Sequence, residues 1–137
     1  MIRRYRRGDA KKVFVQREQI GEKKEAVKFF DDIIAYSLVN ERDKVLAVFG
    51  FREVENGAEC YSLLGEDMEG KMLEFIRFVD KKIKTEASKR GIENILITVK
   101  DGFYNAKRMA KMLNFYEVVK LPLFFSNQDY WLFMRKE

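Results

Sequence analysis

The strongest constraint on this chain is a long amphipathic segment that runs directly into a short apolar one. Met72, Phe75, Ile76, Val79, Ile83 and Ala87 recur at three- and four-residue intervals, which puts them on one face of a helix of several turns. Gly70 precedes that helix, and Gly91 is placed to end it in the left-handed backbone that glycine adopts most cheaply. The run Asn94–Val99 then reads as a strand covered on both faces. A helix with one apolar face beside such a strand predicts helices packed on a sheet.

The flanking sequence fills in the rest of the sheet. Ile33–Val39 and Lys44–Val54 are rich in β-formers and are joined by the polar turn Asn40–Asp43. Val54 leads into Glu55-Asn56-Gly57, where Asn-Gly favours the positive φ of a tight hairpin, and the chain returns as a strand over Ala58–Gly65. After the long helix, Asp101-Gly102 turns the chain into a helix near 104–113, with Asn114 as its left-handed cap. Phe115–Leu121 and Asp129–Met134 finish as strands around Pro122 and Ser126-Asn127. At the other end, residues 2–7 read as a strand with Ile2, Arg4 and Arg6 on one face and Arg3, Tyr5 and Arg7 on the other. Asp9 stands where an N-cap belongs, Val13, Phe14, Arg17 and Ile20 keep helical spacing up to Gly21, and a second helix fits 22–31 on Ala26, Phe29 and Phe30. The expected order is β α α β β β α β α β β, an α+β domain on a mixed, mostly antiparallel sheet flanked by helices. At 137 residues it is expected to be one domain spanning 1–137.

Composition then narrows the chemistry. There is no histidine and only one cysteine, Cys60, so His-based acid–base pairs, Cys–His nucleophiles and His or multi-Cys metal sites are excluded. No metal is expected, and Cys60 reads as a small buried hydrophobe. No apolar run reaches the ~20 residues of a membrane span, and no apolar stretch follows Met1–Arg7, so neither membrane nor secretory leader is expected, and a cytoplasmic setting is the expectation. The net charge is +5, yet residues 1–24 hold nine Lys or Arg against three acids, which leaves the remainder close to neutral. Arg3, Arg4, Arg6 and Arg7 around Tyr5 suit an anionic partner such as nucleic acid, and equally a solvated strand.

The order of elements, together with Ile95-Leu96-Ile97-Thr98-Val99 followed by the helix Asn105–Asn114 and Phe115, resembles the GNAT acyltransferase superfamily. Asn114-Phe115 stands where that family usually has Gly-Phe, and Val45–Gly50 looks like the strand in which it favours a glycine. Within the superfamily, residues 58–137 are similar to short phage-encoded proteins related to podophage internal virion and assembly proteins. They share an aromatic fourth strand, a polar loop without a glycine cluster, a Lys-rich long helix and an aromatic last strand, Tyr130-Trp131-Leu132-Phe133.

The resemblance implies acetyl-CoA as cofactor, its pyrophosphate on the loop that opens the long helix and its pantetheine on the backbone of Leu63, Leu64 and Gly65. Gly70 and Lys71 fall in that loop, but Asp67 stands where Arg or Gln is expected, Met72 where Gly or Ala is expected, and Glu66 and Glu69 add negative charge. The position of the family's acid tyrosine, five residues before Phe115, holds Ala110. Tyr104 and Tyr116 are then the candidate acids and Glu59 the candidate base, with packing or simple exposure as their ordinary roles. Three readings follow. One is a phage-type protein with a degenerate acyl-CoA site that acts by binding, in virion assembly or on a host factor, in the host cytoplasm or the virion. Another is an active acetyl-CoA-dependent N-acetyltransferase acting on an amine, and nucleic-acid binding through the basic N-terminus stands third. Phe124-Phe125 beside Tyr130-Trp131 should be mostly core, with any remainder available to a protein partner or a homodimer.

Overall fold

The chain alternates between elements that bury one apolar face and turns that need positive φ, and the observed order follows from that alternation. A computed structural model describes residues 1–68 and 70–137, with the side chain of Phe29 left out, so the expectations placed on Glu69 and on Phe29 lie outside the described residues. The elements are β1 (Ile2–Arg4), α1 (Asp9–Lys12), a 3-10 turn (Arg17–Gln19), α2 (Ile20–Phe30), β2 (Ile34–Val39), β3 (Val45–Val54), β4 (Gly57–Leu64), α3 (Met72–Arg90), β5 (Asn94–Lys100), α4 (Tyr104–Met112), β6 (Tyr116–Phe125) and β7 (Gln128–Lys136). The strands pair in the order β1-β2-β3-β4-β5-β7-β6. β4 and β5 run parallel, while β1–β2, β2–β3, β5–β7 and β7–β6 are antiparallel. The sheet is therefore mixed and mostly antiparallel, as expected.

The chain divides into two compact units, Met1–Arg52 with Cys60–Phe75, and Glu53–Glu59 with Ile76–Glu137. In the first, Ala10, Val13, Phe30, Ala35, Val39, Val48 and Leu63 form a buried cluster. Gly50 makes room for it, since a Cβ there would stand 2.3 Å from Ile33 Cδ1 and 2.9 Å from Phe30 Cε1. In the second, Val79, Ile83, Ile95, Leu113 and Phe133 are fully or almost fully buried, so the apolar face of α3 is used as its spacing predicts. Arg135 is buried among them. Its guanidinium donates to Leu113 O at 2.9 Å, stands 2.8 Å from Asp80 Oδ1 and also pairs with Glu137, tying β7 to α3 and to the end of α4.

Several expectations are corrected. The first strand stops at Arg4 rather than Arg7. Gly8, at φ 91°, caps α1 in place of Asp9, whose carboxylate instead turns inward. The predicted helix through Gly21 breaks after Lys12, because Val15 leaves it to bridge Gly65, and Ile20 and Gly21 join α2. Asn56 takes the positive φ of the hairpin, 64°, while Gly57 is needed for another reason: a Cβ there would lie 2.5 Å from Asn94 O. β5 is not covered on both faces, since Ile95 and Val99 are buried but Thr98 is exposed. The C-terminal aromatics are not mostly core either. Tyr130 is buried, whereas Phe124 is exposed and Phe125 and Trp131 are half-buried. Gly91 and Asn114 do adopt the left-handed caps expected of them, at φ 67° and 66°.

Candidate functional site

In the first unit the chemistry gathers where β4 ends. Leu64 N–H donates to Gln19 Oε1 at 2.7 Å, and Gln19 Nε2 donates back to Ser62 O at 2.9 Å. One glutamine amide thereby pairs with two alternate backbone groups of the strand, as a neighbouring peptide would. The backbone N–H of Gln16 donates to Leu64 O at 2.8 Å, its side-chain amide to Gly65 O at 3.1 Å, and Glu66 N–H donates to Phe14 O at 2.8 Å. Gly65 N–H donates to Leu46 O at 2.8 Å, and a Cβ on Gly65 would stand 2.3 Å from that oxygen. The segment Phe14–Gln19 is thus a strap along Ser62–Glu66. Gln19 is only 4% exposed, so its bonds are shielded from water.

Upstream of the strap, α1 opens on a buried ion pair. Asp9, fully buried, accepts from Arg3 Nη1 at 2.7 Å, Ser37 Oγ at 2.7 Å and the Arg6 N–H at 2.8 Å. Burial alone would raise its pKa, but those three donors outweigh it and hold the carboxyl below its ordinary value. Arg3 therefore leaves the basic cluster expected at the N-terminus, while Arg4, Arg6 and Arg7 stay exposed. Tyr5 packs on Phe30 and donates its hydroxyl to Asp31 at 2.9 Å. Burial first, and that carboxylate with it, push its pKa up to about 12.

The loop that opens α3 carries the expected residues in a setting unlike an anion cradle. Asp67 is exposed and pairs with Lys44. Gly70 has φ 76° with no protein atom within 4 Å of a would-be Cβ, so it is the positive φ of the turn, and not protein packing, that calls for glycine there. The Lys71 N–H donates to Met68 O at 2.9 Å and is taken.

In the second unit, Glu59 is half-buried on β4, opposite Leu96. Tyr104 opens α4, is 78% exposed and lines an open groove of about 470 Å³ with Lys107, Arg108, Lys111 and Met112. Tyr116 opens β6 opposite Met134, is 48% exposed and does not line that groove, nor does Glu59. Packing explains neither tyrosine. Ala110, at the expected acid position, is fully buried and has no proton to give. Gln16 and Gln19 are the residues that sequence reasoning missed, because nothing in a lone glutamine beside charged residues marks it as a strand partner.

No family model and no curated protein sequence matches the chain. Solved structures do. An IAA acetyltransferase from Bacillus cereus is similar with TM-score 0.77 at 12% identity, over 100% of this chain and 99% of that one. A GNAT-family acetyltransferase from Bacillus anthracis gives 0.73 at 10% identity, over 98% and 93%. The ribosomal-protein-S18-alanine N-acetyltransferase of Escherichia coli gives 0.72 at 16% identity, over 99% and 92%. At such identity a likeness fixes architecture and nothing finer. The chain has the GNAT acetyltransferase fold.

Proposed function

We propose that this chain is a GNAT-fold protein whose acyl-CoA chemistry is weak or lost and which acts by binding. The observation that carries this reading is the Gln19 amide, bonded to Leu64 N–H at 2.7 Å and Ser62 O at 2.9 Å. The backbone that the family resemblance assigns to pantetheine is Leu63–Gly65, and both backbone groups of Leu64 already have partners within the chain. Displacing the strap would expose buried groups that each cost about 1–3 kcal/mol when unmet. The loop adds to this, because Asp67 sets a carboxylate where a pyrophosphate would need donors. In this conformation the residues present do not fit acyl-CoA. The finer reading, from the resemblance to short phage-encoded proteins, makes the partner a virion or host protein.

The test is calorimetric titration of the full chain with acetyl-CoA. The expected result is no saturable heat up to about 1 mM, which corresponds to a binding free energy weaker than about −4 kcal/mol. Micromolar binding would overturn the reading and restore the N-acetyltransferase, with Tyr104, Tyr116 and Glu59 the first residues to substitute and a screen of amine acceptors next.

A further inference from the structure

β6 is anomalous for a strand of a free-standing chain. It ends the sheet, pairs only with β7 among the described residues, and has no buried residue in its ten. Tyr116, Val118, Val119, Leu123 and Phe124 are 46–67% exposed along it. Proline, lysine and bulges are common devices for blunting such an edge, and Pro122, Lys120 and a bulge are all present, but a row of exposed apolar side chains works against that purpose.

The pairing with β7 shows how β6 faces are arranged. Tyr116 lies opposite Met134, Val119 opposite Leu132 and Leu121 opposite Tyr130, so these three share one face. Glu117 lies opposite Phe133 and Lys120 opposite Trp131, on the other face. The register shifts between Glu117 and Val119, which makes Val118 the extra residue of a bulge. Without that bulge, residues three or five apart could not share a face. With it, Glu117 and Lys120 do, and so do Tyr116 and Leu121.

We propose that β6 is the interface of a symmetric dimer, in which two copies pair antiparallel about a two-fold axis between Val118 and Val119. In that register Glu117 meets the second copy's Lys120 on both sides of the axis, Val118 meets Val119, and Tyr116 meets Leu121. The Glu117–Lys120 and Tyr116–Leu121 pairs each join residues of one face, a match the bulge makes possible. Shifting the register by one residue sets Glu117 against Val119 or Leu121, residues of the opposite face, and shifting by three sets lysine on lysine or glutamate on glutamate. Only the first register sets Glu117 against Lys120 on both sides of the axis, and that charge complementarity points to a second copy as the occupant. The neighbours extend it: Lys107 Nζ is 2.8 Å from Glu117 and Lys120 Nζ is 3.5 Å from Asp129, so the closed interface would carry a row of four alternating charges, Lys107, Glu117, Lys120 and Asp129, on each side of the axis. Pro122, with no N–H to give, ends the ladder, and two-fold closure stops further growth. The inference is independent of whether acyl-CoA binds.

Sedimentation or light scattering on the full chain at about 100 μM should give a mass twice 16.3 kDa. Glu117→Lys and Lys120→Glu, each alone, set like charges across the axis and should weaken the dimer by roughly tenfold or more. Mixed together, the two variants become complementary at both contacts and should dimerise with each other. A monomeric wild-type chain would overturn the proposal. So would single variants that stay dimeric, or a mixture that stays monomeric while circular dichroism shows both variants folded.

Discussion

Two strand ends in this molecule meet the same physical demand in opposite ways. At the end of β4, Ser62 O, both backbone groups of Leu64 and Gly65 O are satisfied by the chain itself, through the Gln16 backbone and the side-chain amides of Gln16 and Gln19. Tyr116–Leu121 of β6 has β7 on one side and no strand on the other among the described residues. A strand edge that faces no water must find partners, and one that faces water is a template for another chain. Where the edge is closed from within, its backbone groups already have partners in the chain. Where it is left open and apolar, a second copy has somewhere to bind.

The largest expected effect tests the buried ion-pair frame upstream of the closed edge. Asp9→Ala leaves the inward-turned Arg3, Ser37 and the Arg6 N–H without their acceptor, and should cost about 3–5 kcal/mol in urea unfolding. A loss under about 1 kcal/mol would show that Asp9 does not hold this frame together. The same group sets an acid limb. Its folded pKa lies below the ordinary 3.8, so its stabilisation is complete above that value and disappears as pH falls through the lower, folded one. Asp9→Asn should therefore differ most from the wild type at neutral pH, with the gap narrowing below about pH 4. A gap that stays constant down to pH 2 would contradict this assignment.

Next in size is Gln19→Ala, which removes both bonds that the Gln19 amide makes to β4. It should cost about 1–3 kcal/mol and speed hydrogen exchange at the Leu64 amide, read by mass spectrometry or NMR. Unchanged exchange at Leu64 would mean the edge is closed by something else, and the contrast with β6 would fall. Smaller still is the effect of Glu117→Lys on the fold itself. The Lys107–Glu117 pair is more than a third exposed, so the unfolding free energy, compared at a concentration where both chains are monomeric, should move by less than about 1 kcal/mol. The smallest belongs to Asp67→Asn at the exposed pair with Lys44, which should stay within about 0.5 kcal/mol.

How much of this was legible in the sequence depends on the range of the interaction. The α3 face, the Gly91 and Asn114 caps and the three-strand meander are local patterns, with periods of two or three to four residues, and they formed as read. Asp9 was read as a cap because caps are local. It turned instead to Arg3 and Ser37, the latter 28 residues away, and that contact has no local sign. The long N-terminal helix failed for the same reason: Val15 pairs with Gly65, fifty residues on, and extended pairing overrode helical spacing. The aromatic end near Phe124 reads as mostly core on residue type, and residue type does not say which face the sheet leaves uncovered.

By itself, the sequence determined the element order, the mixed and mostly antiparallel α+β class, and the absence of histidine chemistry, because periodicity and composition are properties of neighbours along the chain. Only the tertiary structure decided that Gln19 closes the end of β4, that Asp9 holds Arg3 inward, and that a bulge at Val118 brings Glu117 and Lys120 to one face. Each of these depends on pairing between residues distant in sequence, where hydrogen-bond satisfaction and register, rather than local propensity, set the outcome.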